Sequence, residues 1–191
     1  MTGLVSSAPA TTTASWQAPA VELALAGDEA AFARIVDTYH RDLVRVAYIV
    51  AGDEQLAEDA AQAAWSIAWR KLGSLRDPER LRPWLVSIAA NEARKLVQSR
   101  HRRAVTEIRV QPPDGDAGDP HAGDPAGEVD HLDLLDALHH LKLEDRRLLA
   151  LRFVGGLDST EIGALVGMSP SGVRGHLSRL VERLRKELRD G

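Results

Sequence analysis

The stretch DSTEIGALVGMSPSGVRGHLSRLVERLRKEL, residues 158–188, reads as two helices joined by a tight turn. Asp158 followed three residues later by Glu161 is a capping-box start, in which each side chain satisfies one orphan backbone N–H of the first turn. Ile162, Leu165 and Val166 are the apolar face of the short helix 159–166. Gly167 is placed to take the left-handed conformation that ends a helix, and Gly167-Met168-Ser169 makes the turn. Ser169 then caps a second helix, with Pro170 at its first position, where a missing N–H costs nothing. Val173, Leu177, Leu180, Leu184 and Leu188 follow at steps of four, three, four and four, one stripe of a long helix. Arg174, His176 and Arg179 lie off that stripe. Two helices, a glycine turn and a long second helix with basic exposed positions make a helix-turn-helix.

Upstream, residues 130–141 and 144–153 have helical periodicity. Before them, 110–129 is rich in Asp-Pro and Gly-Asp steps, which mark irregular chain, and it is too long and polar for the inside of one compact domain. From Gln111 to Asp136 there are eight acidic residues and neither lysine nor arginine. Setting those aside turns the net charge of −4 into +4. Basic residues concentrate in 94–109 and 174–189, so charge is segregated along the chain.

In the first half, Asp28 caps a helix whose stripe is Phe32, Ile35, Val36, Tyr39, Leu43, Val46 and Val50. Gly52-Asp53 stops that helix and caps the next, where Leu56, Ala60, Ala63, Ala64 and Ile67 continue the pattern up to Leu72-Gly73-Ser74. A loop at 75–82 carries Arg76, Asp77, Pro78 and Arg80. Pro83 is read as the first residue of a further helix through Trp84, Leu85, Ile88, Ala89, Leu96 and Val97, running out into Arg100, His101, Arg102 and Arg103.

Composition agrees with helices alone. Apolar residues are 44% of the 191, aromatics only 4%, and alternating β-branched runs are nearly absent. The expected fold is therefore all-α, two small helical domains joined by a flexible acidic linker, the second a helix-turn-helix. The divisions are a disordered tail 1–20, a first domain 21–109, a linker 110–129 and a second domain 130–191. The tail has neither a basic start nor an apolar block, so it does not read as a signal peptide. No run reaches the roughly 18 apolar residues of a membrane span. With no cysteine, disulfides and thiolate zinc sites are excluded, and the cytoplasm is the expected compartment.

Each candidate site has a plain structural reading beside it. Arg174, His176 and Arg179 would present base and phosphate contacts from the start of a recognition helix, or simply form a solvated basic face. The agreement of caps, turn and charge favours DNA. Arg94, Lys95, Arg100, Arg102 and Arg103 supply phosphate affinity without sequence preference. Trp84 could stack on an unpaired base, although its spacing from Ile88 favours the core. Glu58, Asp59 and Gln62 share one helix, with Trp65 and Trp69 beside them. Ordinary surface pairs would explain them, while exposed tryptophan beside polar groups would suit a protein interface. His139-His140 with His131 is the one histidine cluster, and adjacent helical residues diverge too far to chelate one ion. No phosphate loop, Ser-His-Asp set, H-E-x-x-H or calcium-loop pattern is present, so neither catalysis, metal nor cofactor is expected.

Taken together, these segments resemble the extracytoplasmic-function (ECF) group of bacterial sigma factors, within the sigma-70 superfamily. The resemblance rests on Gly27–Phe32, on Ala57–Gln62 followed by Trp65 and Trp69-Arg70, and on Arg82-Pro83-Trp84-Leu85 through Asn91 to Arg103. It continues in Leu148–Phe153, Gly156-Leu157, Glu161-Ile162, Gly167-Met168-Ser169 and Val173–Arg179. It implies a protein that binds core RNA polymerase and directs initiation at promoters. Glu58, Asp59, Gln62 and Trp65 would then contact polymerase. Arg76, Arg80, Trp84, Asn91, Arg94 and Lys95 would take single-stranded −10 DNA, and Ser169, Ser171, Arg174, His176 and Arg179 would read the −35 duplex. An anti-sigma factor is a further partner it admits. The acidic linker, at Asp114, Asp116, Asp119, Asp124 and Glu128, would enter a basic channel of the polymerase in place of nucleic acid. Ala63 stands where an acidic residue is usual, and Gly172, Gly175 and His176 where Thr, Ser and Arg are common, which bears on the promoter sequence read. A helix-turn-helix regulator of another kind, or a helical adaptor that binds only protein, fits the residues too. Binding to core polymerase separates the three.

Overall fold

The computed structural model of the chain describes residues 14–108 and 129–190. The acidic positions 114–128 and the linker reading lie outside them. Among the described residues every regular element is helical. Helices α1 (Ala14–Leu25), α2 (Glu29–Ala51), α3 (Glu54–Lys71) and α4 (Leu81–Ile108) form the first unit, with short 3₁₀ turns at Leu72–Ser74 and Pro78–Arg80. Helices α5 (Val129–His139), α6 (Leu143–Leu149), α7 (Ser159–Val166) and α8 (Pro170–Asp190) form the second, with a single π-type turn at Ala150–Val154.

The punctuation read from sequence holds at α2 and α3. Asp28 accepts from the N–H groups of Ala30 and Ala31, and Gly52 closes α2 at φ 72°. Asp53 then caps α3 by accepting from Leu56 N–H at 2.8 Å. That bond, aided by Arg100, holds the Asp53 carboxyl below the usual carboxylate range. Ile35, Tyr39, Leu43, Val46 and Val50 are buried on α2 as expected.

Four expectations need correction. The tail expected to be irregular to Ala20 is helical from Ala14. Trp16 stacks on Tyr39, and the Gln17 amide donates to the Tyr39 hydroxyl, so tertiary packing holds α1 despite the internal Pro19. On α3 the buried face is Ala57, Ala60, Ala61, Ala64, Trp65 and Ala68, which keeps Ala60 and Ala64 of the expected stripe and leaves Leu56, Ala63 and Ile67 half-buried beside it. Alanines let α3 lie close against α2 and α4, so the small residues, and not the larger aliphatics, face inward. The residue that opens the helical run before α4 is Pro78, capped by Asp77, and Pro83 falls within the first turn of α4. Finally, the helix expected over 144–153 widens at Ala150–Val154, which turns Phe153 out to 65% exposure.

The two units are not separate bodies. One apolar core runs through Val46, Val50, Val86, Ala90 and Ala93 of the first unit into Leu148, Leu151, Leu157, Ile162, Val173 and Leu177 of the second. A second core, around Ile35, Leu43, Ala64, Trp65, Leu81 and Leu85, belongs to the first unit alone.

Candidate polymerase and nucleic-acid interfaces

The helix-turn-helix is built as its sequence requires. Asp158 accepts from Thr160 and Glu161 N–H, and Glu161 accepts from Asp158 N–H at 2.8 Å, completing the capping box. Such a cap contributes about 1 kcal/mol. Gly167 ends α7 at φ 74°. Both Gly167 and Met168 donate to the Gly163 carbonyl, at 2.9 and 3.0 Å, folding the turn back on α7. That approach leaves no space at Gly163, where a Cβ would lie 2.5 Å from the Met168 carbonyl oxygen. The Ser169 hydroxyl accepts from Gly172 N–H, and Pro170 is the first residue of α8. Val173, Leu177, Leu180 and Leu184 are buried, while Leu188 emerges from the core at 42% exposure.

Of the residues assigned to duplex DNA, Ser169, Ser171, Arg174 and Arg179 are exposed. They share the outer side and the start of α8. His176 differs: it is half-buried and its Nε2 lies 2.7 Å from Asp145 Oδ1 of α6. It ties α8 to α6 within the second unit. Beside these groups, Phe153, Leu177 and Val181 line an open groove edged by Arg152, Arg174 and Arg185.

The residues assigned to single-stranded DNA fall on the turn before α4 and on α4 itself. Arg76 is exposed. Trp84 is half-buried against the first unit's own core, so its ring serves packing as well as surface. Lys95 pairs with Glu92 at 2.7 Å. Arg80 is ion-paired with Glu161, Arg94 with Glu144 at 3.5 Å, and Asn91 accepts from Arg147. Arg147 is buried, and burial pushes its guanidinium below its ordinary value, while Glu144 counters that effect. Farther along α4, Arg100 bonds Asp53 at 2.6 Å.

On α3, Asp59 and Gln62 are exposed, and Asp59 accepts from Gln55 at 3.2 Å. The exposure expected for Trp65 is not found. Its ring is buried, packs edge-on with Phe32, and donates Nε1–H to His40 Nδ1 at 3.2 Å. Glu58 lies 3.8 Å from the other nitrogen of His40, so it leans towards α2. Trp69 takes the outer place instead, 43% exposed and 4.7 Å from Phe32 between ring centres. The exposed row is Asp59, Gln62, Ser66 and Trp69. Its steps of three, four and three were readable in the sequence. No group of three or more metal-type ligands occurs among the described residues, and none of their helices is long and apolar enough to cross a membrane.

Comparison with known proteins bears on both units. Residues 35–103 match the model for sigma-70 region 2, and residues 131–184 match that for sigma-70 region 4. The sequence is 37% identical to the RNA polymerase sigma factor CarQ of Myxococcus xanthus over 135 residues, 70% of this chain and 75% of that protein. It is 29% identical to the ECF RNA polymerase sigma factor SigW of Bacillus subtilis, covering 86% of this chain and 92% of SigW. It is 30% identical to the probable RNA polymerase sigma factor RfaY of Xanthomonas campestris, of which it spans only 42%. Among solved structures, the sigma factor RpoE bound to the anti-sigma factor NepR from Bartonella quintana superposes with a TM-score of 0.65 at 25% identity, over 83% of this chain and 96% of that one. CnrH in complex with the cytosolic domain of CnrY shares the fold, with a TM-score of 0.62 at 23% identity, over 91% of this chain and 97% of that one.

Proposed function

The chain belongs to the sigma-70 family, carrying its region 2 and its region 4, and from that premise we propose that it binds core RNA polymerase and gives it promoter specificity. On this reading it performs no chemistry and acts in the cytoplasm, where polymerase and chromosome meet. Region 2 supplies two surfaces. The α3 row of Asp59, Gln62, Ser66 and Trp69 docks on polymerase, with Glu58 at its edge. The turn and α4, through Arg76, Arg80, Trp84, Asn91, Arg94 and Lys95, hold the −10 strand once it is unpaired. Region 4 places Ser169, Ser171, Arg174 and Arg179 against the −35 duplex, with His176 bracing α8 from behind. The observation that carries this is the capped helix-turn-helix with exposed Arg174 and Arg179 in the same chain as a region 2 match. An anti-sigma factor is proposed as a further partner, since RpoE was solved with one.

Two outcomes test the DNA surfaces. Arg174→Ala is expected to lose about 1–3 kcal/mol of promoter binding, with a size that depends on the −35 sequence, as a base contact requires. Arg179→Ala should weaken all promoters evenly and make binding less steeply dependent on salt, as loss of a phosphate contact does. Salt titrations of both variants on a panel of −35 sequences check this. Two variants that bind like the wild type at every salt concentration would remove region 4 from DNA.

Arg76 and Arg80 stand in a turn where guanidinium groups can stack on unpaired bases or meet phosphates. Replacing both by alanine should slow open-complex formation while leaving closed-complex affinity near normal. A template pre-melted across the −10 segment should restore much of the loss. If closed-complex affinity falls instead and pre-melting restores nothing, the turn contacts duplex DNA.

A further inference from the structure

The apolar end of the α3 row rests on a chain of contacts that begins on α2. Trp69, its exposed member, lies edge-on to Phe32 with ring centres 4.7 Å apart, and Phe32 lies edge-on to the buried Trp65 at 5.9 Å. Trp65 in turn donates Nε1–H to His40 Nδ1 at 3.2 Å. Phe32, Val36 and His40 follow one another at steps of four, so they share one side of α2. An indole N–H can only donate, so Nδ1 must be bare, and the hydrogen of the neutral ring sits on Nε2. That nitrogen faces Glu58, whose Oε2 is 3.8 Å away, beyond hydrogen-bond reach. One imidazole thus stands between a buried tryptophan that it already holds and a half-buried carboxylate that it does not.

We infer that His40, in its neutral form, is a positioning residue of the polymerase-docking surface: it fixes Trp65, and through Phe32 the exposed Trp69, while Glu58 keeps its place at the edge of the row. The charged ring cannot do the same. An added proton falls on Nδ1, where it confronts the indole N–H, so the bond to Trp65 is lost. The imidazolium then gains by closing on Glu58, a carboxylate of opposite charge already 3.8 Å away. Both changes disturb the row, because Trp65 loses the bond that orients it and Glu58 is drawn back towards α2. Docking on polymerase therefore weakens as His40 takes up a proton, and imidazole side chains change charge between about pH 5 and 8. Among the described residues, Glu58 is the acid that faces the ring within ion-pair distance. On α2 itself Asp37 and Arg41 flank His40 and are exposed. Helices α1 and α4 meet α2 at Tyr39 and Asp42, through Gln17 and Arg82. Those two positions leave the helix about 100° and 200° round from His40, so their groups do not face the ring.

This role rests on the polymerase reading above, so the test pairs two measurements on the full chain. The first follows the indole N–H signals of the free protein by nuclear magnetic resonance from about pH 8 down to about pH 5.5, a span that covers imidazole titration. The Trp65 signal is the one missing from Trp65→Phe. The second measures affinity for core RNA polymerase over the same span. His40→Asn puts an amide oxygen near the place of Nδ1, so it can accept from Trp65 but takes up no proton. In the wild type the Trp65 signal should move as pH falls, and core affinity should drop with it by roughly three- to tenfold, the scale of one lost hydrogen bond. In His40→Asn the signal should stay in place, and affinity at the alkaline end should match the wild type. Dividing one affinity profile by the other cancels groups of the polymerase that titrate in both, and the ratio should follow the Trp65 signal. His40→Leu keeps bulk without an acceptor and should bind core at the alkaline end as weakly as the protonated wild type. Its profile should lack the same component, so either variant decides the matter if the other does not fold. A Trp65 signal that ignores pH, a flat ratio, or native core affinity in His40→Leu overturns the inference and leaves the docking row standing. Wild-type protein that fails to bind core at the alkaline end overturns the polymerase reading and this role together.

Discussion

Asp59→Arg is expected to abolish association with core RNA polymerase and leave the fold intact. Asp59 sits at one end of the exposed row on α3, and the bond it accepts from Gln55 is a local one. Reversing its charge therefore costs the free protein little, within the few tenths of a kcal/mol usual for exposed positions. At an interface it replaces an acceptor by a like charge facing the partner's donors, which costs several kcal/mol. A loss of that size is a drop of at least roughly a hundredfold in affinity. Trp69→Ala should act in the same direction, through loss of an apolar anchor at the far end of the row. Trp65→Ala should behave differently. It empties a buried site beside Phe32 and His40, and removing a large core side chain costs about 3–5 kcal/mol of stability. Co-purification with core polymerase, together with thermal unfolding followed by circular dichroism, separates these outcomes. Native core affinity in Asp59→Arg would mean that the α3 row is only solvated.

Gly163→Ala is expected to disrupt the helix-turn-helix, although alanine is the better helix former by about 1 kcal/mol. The new methyl would meet the Met168 carbonyl oxygen at 2.5 Å. That oxygen is backbone, part of the turn closed by the two bonds to the Gly163 carbonyl. It can retreat only if the turn opens and α8 swings away from α7. Overpacking of this kind costs about 1–3 kcal/mol, and the displaced α8 should lose −35 binding by roughly tenfold or more. Gly167→Asn is the matched comparison. Gly167 has φ 74° with open space around it, and asparagine tolerates that conformation better than other residues with side chains. It should retain most stability and most DNA binding. Equal stability and equal duplex affinity in Gly163→Ala and the wild type would contradict the packing described for the turn.

The helix-turn-helix was legible before the structure because caps and turns leave local signatures. Asp158, Glu161, Gly167, Ser169 and Pro170 each serve a backbone requirement within a few residues of themselves. The inner face of α3 was not legible in the same way. In Ala57–Ala68 small residues recur on several sides, so periodicity alone gives no single face, and the contrast between buried Trp65 and exposed Trp69 depends on how tightly α2 and α4 approach. The first half of helix α1, before Ala20, was missed because Ser/Thr/Ala/Pro composition suggests a tail, while its order comes from Trp16 and Gln17 meeting Tyr39, more than twenty residues away. The seam between the regions left no trace in the periodicity. Val86, Leu151 and Leu157 look like residues of two separate cores until they are seen to share one. The basic residues of α4 stand out in the sequence, but the carboxylates that meet them, Glu144 at Arg94 and Asp53 at Arg100, do not.

The most direct measurement is run-off transcription by purified core RNA polymerase on a library of genomic fragments, with and without the full-length chain. A sigma factor should produce new RNA 5′ ends at a defined set of positions, preceded by shared −35 and −10 sequences and lost with Asp59→Arg. The same 5′ ends with and without the protein would contradict that function, and would leave a DNA-binding regulator or a protein adaptor as the reading of these helices.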